Sequence, residues 1–242
     1  MGDEAKLVWF IRHPSARVWS VNPYKACGIR CVYCIARSQG NAQPWFGPAC
    51  VVDELRKRLA DVPRDTELFV GALVDAYPPE EERLGVTRLA LTELSLQARL
   101  FCINTKSCLV QRDSDILLKH KGHFDVFMSL CSIDQDLISS LEPFAPSVSD
   151  RLETISALHG AGIDVSIDAA PWIPGASDIN SILNATPAGV RVQVAPLDIR
   201  HIGHEATIAG MCFTQEKINA AYNQHRNAVG NNPRVRWKEP VP

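Results

Sequence analysis

Asn22-Pro23-Tyr24-Lys25-Ala26-Cys27-Gly28-Ile29-Arg30-Cys31-Val32-Tyr33-Cys34-Ile35-Ala36-Arg37 is the stretch on which the reading of this chain turns. It places three cysteines within eight residues. Soft thiolate ligands suit iron, and iron–sulfur clusters are built on closely spaced cysteines. The next cysteine, Cys50, lies beyond a loop containing Pro, Gly and Trp. Three ligands on a four-iron cluster leave one iron open, and an open iron is where chemistry can occur. The spacing therefore predicts a catalytic cluster with Cys27, Cys31 and Cys34 as its protein ligands.

Two plainer readings compete with it. A structural zinc site usually shows two paired ligand runs, but His120, His123, His201 and His204 have no cysteine pair beside them. A disulfide framework fits no better. Eight cysteines in 242 residues are sparse, and the start Met1-Gly2-Asp3-Glu4-Ala5-Lys6 is polar and charged rather than a secretory signal. Reduced thiols and no export signal predict the cytoplasm.

Composition narrows the partners. Lys+Arg 25 against Asp+Glu 27 gives a formal net charge of −2, whereas a duplex binder usually carries a basic excess or stripe. The one local basic cluster is Arg234-Val235-Arg236-Trp237-Lys238. This balance argues against nucleic acid as a partner. No apolar run reaches the roughly 20 residues that a bilayer span requires, so no membrane association is expected.

Outward from the cysteine loop, strand and helix patterns alternate, the signature of an α/β protein with a parallel sheet. Strands are expected at Val18–Val21, Glu67–Val74, Leu100–Thr105, Asp125–Ser132, Asp164–Ala170 and Val190–Val194. Helices are expected at Val51–Val62, Val86–Ala98, Ser114–His120, Asp150–Gly160, Asp178–Ala185 and Thr214–Ala228, with Asn231–Pro242 an extended tail. About six βα units joined by right-handed crossovers predict a partial (βα)6 TIM-like barrel in a single domain. Its core would cover about residues 18–198, followed by a C-terminal helix and tail over 199–242. In such folds the reactive site lies at the carboxyl ends of the strands. The notable polar groups fall there: the cysteine loop, Asp75-Ala76-Tyr77, Thr105-Lys106-Ser107, Ser129 with Cys131, Asp168, and Ala195-Pro196-Leu197-Asp198.

Cys27-x3-Cys31-x2-Cys34, with Tyr33 before the third cysteine, resembles the motif of radical S-adenosylmethionine (SAM) enzymes. Within that superfamily the chain is similar to the spore photoproduct lyase-like branch over roughly Val21 to Asp198. The resemblance includes Asn22-Pro23-Tyr24, Cys34-Ile35-Ala36-Arg37, Asp75-Ala76-Tyr77-Pro78-Pro79-Glu80, Thr105-Lys106-Ser107, Arg112-Asp113, Leu141-Glu142-Pro143, Pro146-Ser147, Arg151-Leu152 and Pro171-Trp172-Ile173-Pro174-Gly175. It implies a radical SAM core with one 4Fe-4S cluster, SAM, and an external electron donor of the flavodoxin or ferredoxin type. SAM would chelate the open iron, and its reductive cleavage would give a 5′-deoxyadenosyl radical that takes hydrogen from the substrate. The protein would supply position, electronics and exclusion of water. By the same resemblance Lys106 would pair with the SAM carboxylate, Asp75 would contact its amino end and Ser129 its ribose or methionine portion. Tyr33 would lie against the adenine, and Arg151 is a further candidate for the carboxylate.

Each assignment has a plain alternative. Lys106 could be a solvated strand-end lysine, Asp75 a loop cap, Ser129 a small packing residue, Tyr33 ordinary wall, and Arg151 a surface residue in the first turn of a helix. Asp168 inside an apolar strand needs a partner in any case.

The departures shift the expected substrate. Spore photoproduct lyase carries a cysteine near the start of the second-strand motif that donates hydrogen to the product radical; the matching position here is Ala72. That enzyme also has a sizeable N-terminal domain before its cysteine loop, where this chain has 26 residues. A C-terminal cysteine array for further clusters is missing too. Strand alternation from Ser129 would turn Cys131 to the same face, where its thiol could donate hydrogen catalytically; as a buried cysteine it could equally be a small hydrophobe. Cys102 and Cys108 read as structural, and Cys212 could cap the barrel mouth, which Ile199–Thr214 would cover. The expected substrate is a small molecule, a nucleoside or sugar of a biosynthetic pathway, undergoing epimerisation, rearrangement, dehydrogenation or sulfur insertion. The rivals are a nucleic-acid photoproduct lyase and a non-enzymatic iron–sulfur electron carrier or metal-stabilised binding module.

Overall fold

The structure, a computed structural model, describes residues 10–12, 18–34, 44, 47–64, 66–97, 99–199, 206–208 and 211–240. Ile35, Ala36, Arg37, His201 and His204 lie outside the described residues, as does the side chain of Cys212.

The strands are β1 (Phe10–Arg12), β2 (Val18–Val21), β3 (Glu67–Val70), β4 (Phe101–Thr105), β5 (Phe124–Ser129), β6 (Val165–Trp172), β7 (Arg191–Pro196), β8 (Ala206–Ile208), β9 (Met211–Phe213) and β10 (Val235–Trp237). The helices are α1 (Val51–Leu59), α2 (Glu81–Leu84), α3 (Val86–Leu94), α4 (Ser114–Lys119), α5 (Gln135–Leu141), α6 (Val148–Gly160), α7 (Ile179–Asn184) and α8 (Gln215–Val229), with a 3₁₀ turn at Cys108–Asp113. The hydrogen-bonded strand order is β1-β2-β3-β4-β5-β6-β7-β10, with seven parallel strands and β1 antiparallel at one end; β8 and β9 form a separate antiparallel pair. This is the expected α/β fold, and its sheet is open rather than closed on itself.

The described residues cluster into two compact units. One takes in Met1–Gly28, Ser38–Phe127 and Gly162–Asp164, the other Ile29–Arg37, Met128–Ala161 and Val165–Pro242. In the first, β2, β3 and β4 pair in parallel, with Val21 opposite Val70 and Phe69 opposite Cys102. Helix α1 buries Val51, Leu55 and Leu59, and α3 buries Val86, Ala90, Leu91 and Leu94. Each fully buried leucine contributes about 1.5–3 kcal/mol. In the second unit β6, β7 and β10 pair in parallel. Here the helices start on capping side chains: Asp134 accepts from Leu137 N–H, Ser147 from Asp150 N–H, Asp178 from Asn180 N–H and Thr214 from Lys217 N–H.

Several elements differ from expectation: α1 and α3 end early, at Leu59 and Leu94, α2, α5, β1, β8 and β9 are additional, and three of the expected stretches change as follows. The strand expected over Glu67–Val74 stops at Val70, because Gly71 adopts φ +83° and turns the chain away. That over Asp125–Ser132 stops at Ser129. The tail is not merely extended: Val235–Trp237 forms β10, in register with Val192–Val194.

Candidate active site

In the first unit the site begins where β3 ends. A Cβ on Gly71 would stand 2.7 Å from Ala76 N and 2.8 Å from Asn104 O, so only glycine fits both the positive φ and the close approach. The Gly71 N–H donates to Val21 O at 2.8 Å, and Leu73 N–H donates to the Asn22 side chain at 2.9 Å. The tight turn carries Asp75 to the end of β4. There its carboxylate accepts from Tyr77 N–H (2.9 Å), the Thr105 hydroxyl (2.6 Å) and Lys106 N–H (2.7 Å). Asp75 thus caps the loop and at the same time fixes the main chain of half-buried Lys106. Ser107 N–H donates to Thr105 Oγ1, and Ser107 Oγ accepts from Leu109 N–H to start the 3₁₀ turn.

Behind this loop lies a buried polar network. Tyr24 donates to Glu81 at 2.5 Å, and Arg112 pairs with the same carboxylate at 2.6 Å. Asp113 accepts from Tyr77, Arg112 and Arg88. Burial first, then the charge of Asp113 and the hydrogen bond to it, raises the Tyr77 phenol well above its ordinary pKa, so it stays a neutral donor. The Asn-Pro-Tyr and Arg-Asp motifs are therefore braces for the Asp75 loop. Glu81, fully buried, is the residue that reading the motif only to Glu80 overlooks; a carboxylate beside a Pro-Pro turn carries no sequence signal of burial.

In the second unit the part of the cysteine loop from Ile29 to Cys34 is fastened to the end of α5. Val32 N–H donates to Leu141 O at 2.9 Å, Phe144 N–H to Ile29 O at 3.4 Å, and Cys34 N–H to Cys31 O at 3.1 Å. The Arg30 guanidinium lies 5.2 Å from the Phe144 ring centre, and Arg30 itself adopts φ +56°. Tyr33 is buried and donates its hydroxyl to Glu142. Burial raises the Tyr33 pKa well above the ordinary value, reinforced by the neighbouring Cys131 and Glu142, so the phenol remains protonated.

Glu142 is the second residue without an assigned role in the sequence reading. It ion-pairs with Arg151 at 2.7 Å, both side chains being fully buried. The other Arg151 nitrogens donate to Ser129 O and Pro146 O, each at 3.0 Å. Arg151 is thus a core residue rather than a surface one, and it holds the strand end at Ser129. A buried guanidinium needs a carboxylate and acceptors of this kind. The one forewarning of burial is the Leu141-Glu142-Pro143 motif with Arg151 downstream.

Cys131 is buried, with its sulfur 3.9 Å from Glu142 Oε1. Because β5 ends at Ser129, strand alternation does not extend to Cys131, and its position follows from this contact instead. Asp168 has its partner: Gln193 Nε2 donates to it at 3.3 Å from the neighbouring strand. In the tail, Arg234 donates to Val190 O, Leu183 O and Thr186 Oγ1. That part of the basic cluster is spent inside the protein.

Cys27, Cys31 and Cys34 are half-buried on irregular backbone, and none is in a disulfide. Among the described residues no three His, Cys, Asp or Glu side chains already converge as a metal site. The fit to an iron–sulfur cluster therefore rests on donor chemistry: three reduced thiols, partly open, on a loop outside helix and strand.

No protein-family model matches the chain. An uncharacterised protein of Methanocaldococcus jannaschii is 29% identical over 176 residues, covering 72% of this chain and 67% of the relative. An uncharacterised protein of Mycobacterium tuberculosis is 26% identical over 174 residues, covering 66% and 51%. Among solved structures, spore photoproduct lyase complexed with dinucleoside spore photoproduct aligns with TM-score 0.64 and 14% identity over 94% of this chain and 78% of that one. Streptococcus suis SuiB bound to S-adenosylmethionine aligns with TM-score 0.63 and 14% identity over 91% and 50%. The chain thus spans about half the length of the mycobacterial relative and of SuiB. At these identities the structures share its fold. No helix among the described residues is long and apolar enough to cross a membrane.

Proposed function

We propose that this chain is a radical SAM enzyme acting on a small molecule, with a nucleoside as the leading substrate class. One observation carries the reading: three reduced cysteines spaced x3 and x2 stand on a loop locked to the core through Tyr33, Glu142 and Arg151. Solved proteins of the same fold bind S-adenosylmethionine in one case and a dinucleoside in another, which supports the choice of cofactor and substrate class.

In this reading Cys27, Cys31 and Cys34 hold a 4Fe-4S cluster. When bound, the cluster supplies the electron that cleaves SAM to methionine and a 5′-deoxyadenosyl radical, itself reloaded by an external donor of flavodoxin or ferredoxin type. Lys106 meets the SAM carboxylate, its main chain fixed by Asp75. The acceptor site that Asp75 keeps beyond Tyr77, Thr105 and Lys106 would take the SAM amino group. Ser129 contacts the ribose or methionine portion, and Arg151 acts as a positioning residue for it. Tyr33 offers its ring to the adenine, since its hydroxyl is engaged by Glu142. Cys131, with its thiol beside the Glu142 carboxylate, is the reserve hydrogen donor. The absence of a basic excess supports a small molecule over a nucleic-acid polymer, and reduced thiols fit the cytoplasm.

The test is anaerobic reconstitution with iron and sulfide, then dithionite and SAM, assaying 5′-deoxyadenosine with and without nucleosides. Formation in the parent protein and its loss in Cys31→Ala is the expected result. Uptake of zinc with no cluster formed would overturn the reading.

A further inference from the structure

Within the first unit, one face of the sheet carries a group of side chains that the cofactor assignments leave unused. Cys102 Sγ donates to Glu67 Oε1 at 2.9 Å, so Cys102 on β4 and Glu67 on β3 share a face. Strand alternation adds Phe69 from Glu67 and Asn104 from Cys102. Phe127 on β5 joins them, its ring centre 6.5 Å from that of Phe69. Phe69, Phe127 and Asn104 are each only half-buried, although the opposite face of the same strands is closed by Leu68, Val70, Phe101, Ile103 and Val126.

Asn104 is the informative member. Its Oδ1 is shut away from solvent and accepts no hydrogen bond among the described residues. An enclosed acceptor without a donor is costly, so the arrangement is complete only when something donates to it. The same amide presents an Nδ2 donor beside that acceptor. A ligand edge with an adjacent donor and acceptor satisfies both, which is how an asparagine amide reads a nucleobase. The two phenyl rings supply the apolar surface on which a planar base stacks. A nucleobase meets both demands together.

We propose that Asn104, with Phe69 and Phe127, forms the base-recognition subsite for a nucleoside substrate. The inference assigns the substrate class within the radical SAM reading and rests on it. Asn104 lies two residues before Lys106, the proposed SAM contact, which puts base recognition at the end of β4 and cofactor binding just after it.

The probes are uridine, cytidine, guanosine and adenosine, measured by equilibrium dialysis against the reconstituted full chain at saturating SAM, so that the cofactor's own adenine site is filled. At least one nucleoside binds the parent protein. Asn104→Ala lowers that affinity about tenfold. Asn104→Asp, which keeps the acceptor and removes the donor, lowers it as well and guards against a folding defect in the alanine variant. SAM affinity is unchanged in both. The proposal is overturned if no nucleoside binds, if affinity is indifferent to residue 104, or if SAM binding weakens in parallel. The two readings fail separately. Nucleoside binding that depends on Asn104 but brings no 5′-deoxyadenosine removes only the radical reading. Deoxyadenosine formed with no nucleoside bound removes only this one.

Discussion

Tyr33, inside the cysteine loop, and Glu142, just past α5, are joined by a hydrogen bond that spans 109 positions of sequence. The same carboxylate meets the Arg151 guanidinium and the Cys131 thiol. A single acid thereby ties the cysteine loop to the end of β5 and the first turn of α6.

Removing that acid is expected to be severe. Glu142→Ala leaves the fully buried Arg151 charge uncompensated, at a cost of about 3–5 kcal/mol in urea unfolding. Replacing both partners, Glu142→Leu with Arg151→Leu, costs clearly less than the sum of the single changes. Additive losses in a double-mutant cycle would show that the pair is not energetically coupled.

Iron content separates ligands from bystanders. Cys27→Ala, Cys31→Ala and Cys34→Ala each lower iron bound after reconstitution by more than half. Cys50→Ala, at an exposed position before α1, retains the parent amount. Equal loss in all four variants would dissociate iron binding from the motif.

Gly71 tests the turn that delivers Asp75. Gly71→Ala drives a methyl group into backbone atoms at 2.7 and 2.8 Å in a left-handed conformation. A loss of about 2 kcal/mol or more is expected, together with weaker SAM binding than in a surface variant of matched stability. Parent-like SAM affinity would show that the loop does not position Lys106.

The acid limb of stability is expected to involve His225. Its Nε2 accepts the Ile179 N–H at 3.2 Å, and the ring packs on Trp172 and Trp237. Burial lowers its pKa below 6.5, opposed by Asp178 at 4.0 Å. Between the lowered folded value and the ordinary unfolded one, the unfolded chain binds more protons, so stability rises with pH. The stability due to neutral His225 is complete above about pH 6.5 and declines as pH falls through that window. His225→Gln flattens the dependence of Tm on pH there; an unchanged slope assigns the acid sensitivity elsewhere.

Much of this arrangement is legible without coordinates. Strand-like and helix-like apolar patterns follow one another along the chain and locate the parallel strands and helices, because the buried face of each element leaves a strong signal. The polar clusters at Asp75, Lys106 and Ser129 stand out because they interrupt it. What stays hidden is set by contacts distant in sequence. Nothing local says that Gly71 must adopt positive φ, so the strand reads as running on to Val74. Arg151 reads as surface because first-turn arginines usually are, and its burial depends on Glu142. Val235–Trp237 is too short and too polar at Arg236 to announce a strand until β7 offers its edge.

That last pairing bears on how the chain is made. β7 takes β10 as its neighbour, yet the 15-residue helix α8 must be synthesised between them. Until it emerges from the ribosome, Val192–Val194 present bare amide and carbonyl groups along one border, a template for strands of other nascent chains. Tyr222 then locks the late arrival, with its hydroxyl in reach of both Val194 O and Lys238 O. Release of Val235–Trp237 from the ribosome is thus the moment at which this polypeptide loses its adhesive border.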